Sequence, residues 1–496
     1  MSYAIVRSRA SQGLDAPPVR VEVHLASGLP SFTVVGMPET AVRESRDRVR
    51  SALINAHFEF PDGRLTVNLA PADLPKGGSR FDLPIALGIL VASSQLPASA
   101  VDGVECIGEL ALNGGLCDIR GCIAAVMAAT SAGRSVALPN RAASRCRVVI
   151  GARLIPGADL LSLCALLRGE AEPPEEESFQ PSPREVTSDL AEVQGQPVAR
   201  RVLELAAAGG HNLLLCGPPG TGKSLLASCL PGILPPPDPE EVLVMHALQD
   251  LQGVEGSDNA RPFRSPHHSA SAAALVGGGS TPRPGEISLA HGGVLFLDEL
   301  AEFPRHSLDM LREPLETGEI CIARARSRIR YPARFQLVAA MNPCPCGYAG
   351  DEQRSCRCTP AQRQSYAARL SGPLLDRIDL QVWVDRSRTP SLFADDEVES
   401  SAVVRARVIE ATERQVNRQG KLNARLEVAR LAEVCALRKE ELDLLREACS
   451  QLSLSLRAAH RCLRVARTIA DLEGTGPVSA AHIREALAYR QLSREG

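Results

Sequence analysis

Aromatic residues make up only 3% of this 496-residue chain, with one Trp, five Tyr and ten Phe. So few rings argue against a base-stacking platform as the main binding device. A strong charge of one sign is also missing. The 55 Lys and Arg against 58 Asp and Glu give a net charge of -3, with a pI near 6.4. A globally basic nucleic-acid binder is thereby excluded, and any such contact must be local. No run reaches the roughly 18 apolar residues that a membrane span requires. The best candidate, Leu83 to Ala92 with Pro84 near its start, predicts a short buried helix. No basic segment followed by an apolar core opens the chain, so no signal peptide and no membrane partner are expected. Cysteine is not scarce: the fifteen thiols, mostly in apolar runs, predict a reduced, cytoplasmic protein.

Against these absences stands one complete motif. Gly217, Pro218, Pro219, Gly220, Thr221, Gly222, Lys223 and Ser224 form a G-x-x-x-x-G-K-[ST] phosphate loop. An apolar run, Asn212 to Cys216, enters it, and a helix-compatible run, Leu225 to Cys229, leaves it. The glycines allow backbone N–H groups to turn inward around a β-phosphate, with the helix N-terminus adding positive potential. Lys223 is expected to reach the β- and γ-phosphates of ATP, and the Ser224 hydroxyl to ligate Mg²⁺.

A second element tests the first. Gly293 to Glu299 is a short apolar strand ending in two carboxylates, the Walker B pattern. Near-continuous hydrophobicity suits a strand buried in a parallel sheet, whose carboxyl end carries the chemistry. Asp298 is expected to hold Mg²⁺, and Glu299 to orient the attacking water.

Four blocks are expected along the chain. Residues 1–168 mix strands and helices. Val19 to Leu25 and Leu65 to Leu69 alternate with period two, while Thr40 to Ala56 and Ile123 to Ala132 have helical spacing. Residues 169–185 are a linker packed with Pro, Glu and Ser, a composition that cannot offset the entropy of ordering. The phosphate-loop block spans 186–385, and 386–496 is helical, rich in Leu, Ala, Arg and Glu. The fold class is therefore α/β multidomain with a helical C-terminal region.

Longer stretches go beyond a generic ATPase. Arg261 to His268, Pro284 to Glu299, Met341 to Gly347 and Ser371 to Asp379 together resemble the magnesium-chelatase-like AAA+ ATPases of the ComM/YifB family. The resemblance spans almost the whole chain. It implies an α+β Lon-protease-like N-terminal domain, an AAA+ αβα sandwich and a C-terminal helical lid. It also implies a homo-hexameric helicase that acts on single-stranded or branched DNA and promotes branch migration during natural transformation. The competing reading is a chelatase-like AAA+ remodeller of a protein partner. The chelatase motor lacks the Lon-like domain, which counts against metallation of a porphyrin.

By the same resemblance, Asn342 is the sensor 1 residue, at the end of a strand lying between the Walker A and B strands; the alternative is an Asn-Pro turn. Arg377 resembles an arginine finger reaching a neighbouring subunit's nucleotide, the alternative being an ion pair with Asp376 or Asp379. Arg457 looks like sensor 2 on the lid. Ala270 to Gly279 resembles the helix-2 insert of this clade. Arg324, Arg326, Arg328 and Arg330 recur at every second position, which in one strand puts all four on one face. The family places a pore-directed hairpin here, so Arg324, Arg326 and Arg328 are DNA-contact candidates. A solvated edge strand protected by charge is the alternative.

Cys344, Cys346, Cys356 and Cys358 form a C-x-C…C-x-C set that suits tetrahedral zinc, with chance clustering of reduced thiols as the alternative. His267 and His268 are adjacent, would point apart on a strand, and are not read as metal ligands. In the Lon-like segment Ala70 to Asp82, the nucleophile position falls on Arg80, and the position of the general base falls on Ile123. A serine nucleophile needs a base within hydrogen-bond reach, so no peptidase activity is expected despite nearby Ser79.

Overall fold

The computed structural model describes residues 2–36, 40–74, 76, 78–172, 188–254, 259–279, 282–324, 327–386, 398–452 and 454–490. Most of the expected linker, 173–185, lies outside the described residues.

The first body contains β1 (Ser2–Arg9), β2 (Pro18–Ala26), β3 (Ser31–Val35), α1 (Thr40–Asn55), β4 (Arg64–Ala70) and α2 (Asp82–Ala92). It continues through β5 (Val104–Cys106), β6 (Glu109–Leu110), β7 (Leu116–Cys117), α3 (Cys122–Ser131), β8 (Ser135–Pro139), α4 (Asn140–Cys146), β9 (Arg153–Gly157) and α5 (Leu160–Arg168). Seven strands form one mixed sheet in the order β3-β4-β2-β1-β5-β8-β9. In β4 every second residue, Leu65, Val67 and Leu69, is buried, as the period-two alternation requires. Those side chains pack under α1 and α2 with Val6, Val21 and Val23. Helix α2 is buried on nearly every side. Gly88 lets it approach β2, because an added Cβ there would fall 2.5 Å from Val23 Cγ2.

The second body holds α6 (Pro197–Gly209), β10 (Leu213–Cys216), α7 (Lys223–Ile233), α8 (Pro239–Gln252), β11 (Phe263–Arg264), α9 (Ala272–Val276), β12 (Gly277–Gly278), β13 (Arg283–Pro284) and α10 (Glu286–Leu289). It continues through β14 (Val294–Leu297), α11 (Arg305–Asp309), α12 (Arg312–Thr317), β15 (Glu319–Arg324), β16 (Ser327–Pro332), β17 (Gln336–Met341), α13 (Pro360–Ala367), α14 (Gly372–Leu375) and β18 (Leu380–Trp383). Five strands form an all-parallel sheet, β11-β14-β17-β10-β18. Consecutive residues alternate between two cores. Leu213, Leu215, Phe296 and Val338 join the core under α6 and α7. Leu214, Leu295, Leu297 and Leu337 join the core under α8, α10 and the β15–β16 hairpin. Burial on both faces explains why these strands read as unbroken apolar runs.

The last helices are α15 (Ser401–Gln419), α16 (Val428–Cys435), α17 (Lys439–Gln451), α18 (Leu456–Leu472) and α19 (Ala480–Ala488). Val404, Val408, Ala466 and Ile469 share one apolar core with α6 and α7; α15 rests on the phosphate-loop helix α7, and α18 packs on α6. Asp379 fixes that placement. Its buried carboxylate accepts from the Asn212 backbone N–H at 3.1 Å and pairs with Arg461 of α18. Burial alone pushes Asp379 up, but His211, whose Nδ1 lies 3.6 Å away, and the Arg461 charge outweigh it and hold the group well below the usual carboxylate range.

The two α/β bodies meet at α8. Asp250 caps the N-terminus of α3, accepting from Ile123 N at 2.9 Å and Cys122 Sγ at 3.2 Å, and its other oxygen pairs with Arg145 at 3.2 Å. No helix among the described residues is long and apolar enough to cross a membrane.

Candidate nucleotide site

The phosphate loop leaves β10 at the carboxyl edge of the parallel sheet. Gly217 passes so close to β18 that an added Cβ would lie 2.2 Å from Val384 O. Gly220 and Gly222 adopt φ of 77° and 82°, which L residues rarely take. Thr221 Oγ1 donates to Pro218 O at 3.0 Å and fixes the turn.

Lys223 is buried at the start of α7 and folds back on its own loop. Its Nζ donates to Gly217 O and Pro218 O, each at 2.8 Å, and to Asn342 Oδ1 at 3.3 Å. Burial lowers its pKa, against the opposing pull of Cys216 and Asp298. Ser224 Oγ donates to Asp298 Oδ2 at 2.7 Å across the gap from α7 to the end of β14. Two hard oxygen donors converge there, which fits a small divalent cation such as Mg²⁺. Strand β17 lies between β10 and β14, so Asn342 emerges between the two motifs, as expected. Lys223, Ser224, Asp298 and Asn342 are therefore brought together from three neighbouring strands.

Glu299 sits at φ 52°, the second residue past the end of β14. Its carboxylate meets a residue that the sequence did not assign: His268 Nδ1 lies 3.1 Å from Glu299 Oε2. His267 and His268 are in a turn rather than a strand. Their rings lie 4.1 Å apart instead of pointing away from each other. Sequence marked Arg261 to His268 only as part of the family resemblance; the pairing of Phe263 and Arg264 with β14 and the contact of His268 with Glu299 come from the structure.

Arg377 lies apart from this cluster. It pairs with Glu316 and donates to Pro373 O at 2.6 Å, not with Asp376 or Asp379 as the alternative had it. Asp379 is taken by Arg461 instead. Arg457, in the first turn of α18, lines one cavity with Arg377, Glu316, Arg461 and Arg464, and no residue of the phosphate loop lines it.

In the hairpin, β15 and β16 are antiparallel, and Arg328 and Arg330 are exposed while Ile329 and Tyr331 are buried. The four arginines do not share a register face. Arg324 pairs with Ser327, two places from the buried Ile322–Ile329 pair, whereas Arg328 and Arg330 pair with Ala323 and Cys321. The chain reverses between the first and last arginine, which interrupts the period assumed for one strand. Arg326 lies outside the described residues.

The four cysteine sulfurs all lie within 4.8 Å of one another. Cys344 Sγ is 3.4 Å from Cys346 Sγ and 3.7 Å from Cys356 Sγ, and Cys346 Sγ is 3.6 Å from Cys356 Sγ. Tetrahedral zinc with Zn–S bonds of about 2.3 Å requires sulfurs roughly 3.8 Å apart. Ala349 N and Cys358 N donate to Cys344 Sγ and Cys356 Sγ at 3.3 and 3.4 Å. Backbone N–H groups of Arg357 and Tyr348 draw the Cys346 thiol down to about 6, while burial pushes Cys358 up to about 12.

The Lon-like positions hold no dyad. Arg80 is buried and donates to Arg120 O, and Ile123 lies under α8 with its N–H on Asp250. Ala247 of α8 packs against Ile123 and Val126 of α3 at this position.

Comparison with known proteins agrees with this geometry. The family profile of magnesium chelatase subunit ChlI matches residues 189–392. Profiles for subunit ChlI of Mg-chelatase and for the ChlI C-terminal region match 21–142 and 398–490. The chain is 50% identical over 503 residues to the uncharacterized protein YifB of Salmonella typhimurium, covering 100% of this chain and 98% of that one. It is 49% identical over 504 residues to competence protein ComM of Haemophilus influenzae, with the same coverage. A magnesium-chelatase 38 kDa subunit of Acidiphilium rubrum is 27% identical over 212 residues, 42% of this chain and 55% of that one. The chain belongs to the ComM/YifB family of magnesium-chelatase-like AAA+ ATPases.

Proposed function

We propose that this ATPase is a homo-hexameric ring motor that uses MgATP hydrolysis to drive DNA branch migration during natural transformation and recombination. The observation that carries the DNA reading is full-length similarity to a protein named for competence, since the 38 kDa chelatase subunit aligns with less than half of the chain. Mg²⁺ held at the nucleotide site would supply charge neutralisation for the nucleotide's phosphates. Around it, Lys223 exchanges its loop carbonyls for phosphate oxygens. Ser224 and Asp298 hold the cation. Glu299 leaves His268 to orient water, and Asn342 aligns that water with the γ-phosphate.

Arg377 and Arg457, which line one cavity, serve the neighbouring subunit's nucleotide. Arg324, Arg326 and Arg328 of the hairpin meet the DNA backbone in the pore, where a ring of guanidinium groups replaces condensed counterions. Zinc in the four-cysteine centre stiffens the segment that follows Asn342. The domain limits 1–168, 186–385 and 386–496 belong to the same reading.

The test is the ATPase rate with and without single-stranded and forked DNA. Stimulation by DNA is expected. A rate indifferent to both DNAs, and raised by a protein partner, would favour a chelatase-like remodeller.

A further inference from the structure

The loop carrying the four cysteines does more than follow the sensor 1 strand; it leans on the phosphate loop. Gly347, at φ 85°, lies so near that an added Cβ would fall 2.8 Å from Pro219 Cδ. The next residue, Tyr348, has the guanidinium of Arg354 at 5.3 Å and that of Arg386 at 5.7 Å from its ring centre. Arg386 is further held by Asp351 of the same loop at 3.2 Å. From this seat Arg386 Nη2 donates to Pro219 O at 3.4 Å.

That last contact has a geometric consequence. In a trans peptide the C=O and the following N–H point in opposite directions. Holding the Pro219 carbonyl toward Arg386 therefore turns the Gly220 N–H the other way, as a phosphate cradle requires. We propose that the four-cysteine centre forms a wall of the nucleotide site, and that metal bound there positions the phosphate loop through Gly347, Tyr348 and Arg386. Tyr348 and Arg386 are positioning residues for nucleotide binding. The proposal rests on the zinc reading above and adds to it a dependence of nucleotide affinity on the metal.

The experiment compares full-length wild type with three variants, Tyr348→Ala, Tyr348→Phe and Cys356→Ser/Cys358→Ser. Zinc content, thermal midpoint and affinity for a fluorescent ADP analogue are measured on each. Wild type should hold about one zinc per chain. The double serine variant should lose it and bind the analogue roughly tenfold or more weakly, the scale of loss when a partner that orients a site is removed. Tyr348→Ala should keep its zinc yet bind several-fold more weakly, and Tyr348→Phe, which retains the ring that both guanidinium groups contact, should bind like wild type. Wild type purified without chelator and free of metal would overturn the zinc reading and this inference with it. Zinc present, with unchanged affinity in Tyr348→Ala, would overturn the wall alone. Because Tyr348→Ala leaves all four thiols in place, it decides the matter even if the serine variant fails to fold.

Discussion

Glu299 shows at the scale of one residue how much chemistry a sequence motif leaves out. Its place after an apolar strand marks it as the residue that orients water, but its left-handed backbone and its contact with His268 come from the fold. Such strained positions cluster at functional sites. Glu299→Gln should retain nucleotide binding while hydrolysis falls by about 10² or more, as positioning and electrostatic stabilisation are lost. Equilibrium binding beside steady-state turnover measures both. Near-normal turnover would remove Glu299 from its role. Arg377 is the opposite case, because sequence named candidate partners and the structure supplies another, Glu316. Ion pairs between residues 61 apart leave no local pattern to read. Arg377→Ala should bind ATP without turning it over. Mixed with Glu299→Gln protein it should recover part of the activity, because some interfaces in a mixed ring are intact. No recovery across mixing ratios, in rings shown to be mixed, would contradict action between subunits.

At the scale of elements, the strands and helices were legible wherever one physical rule dominates. Alternation gave β2 and β4, helical spacing gave α1 and α3, and burial on both faces gave the apolar runs of β10 and β14. The hairpin was misread in one respect, since a period of two says nothing about where the chain turns back. Contacts between distant elements were also hidden: Asp250 caps a helix more than 120 residues away. Asp379 ties β10, β18 and α18 in the same way. Asp379→Asn keeps its shape but leaves Arg461 without its charge, which should cost about 3 kcal/mol of stability. Because the folded carboxylate titrates below its unfolded value, the ionised group stabilises the fold above the unfolded pKa. That share is lost as pH falls through the folded value. Denaturation at neutral pH and in acid should therefore show a gap between variant and wild type that narrows in acid; a constant gap would contradict this origin. For the hairpin, replacing Arg324, Arg326 and Arg328 with Ala should weaken DNA binding and flatten its salt dependence, because fewer counterions are released. Basal hydrolysis should persist, and unchanged DNA affinity would take the hairpin out of the mechanism.

The whole molecule is two α/β bodies joined through α8 and a helical region laid over α7. The phosphate-loop helix thus shares a core with the C-terminal helices, and α8 packs on α3 of the first body. Arg377 and Arg457 line a cavity to which the chain's own phosphate loop contributes no residue. A synthetic four-way junction with labelled arms tests the central claim most directly. In the presence of MgATP the wild type should move the branch point and release two labelled duplexes, while Glu299→Gln, with nucleotide bound, should leave the junction intact. Wild-type protein that hydrolyses ATP as an assembled ring yet never moves the branch point would contradict the account.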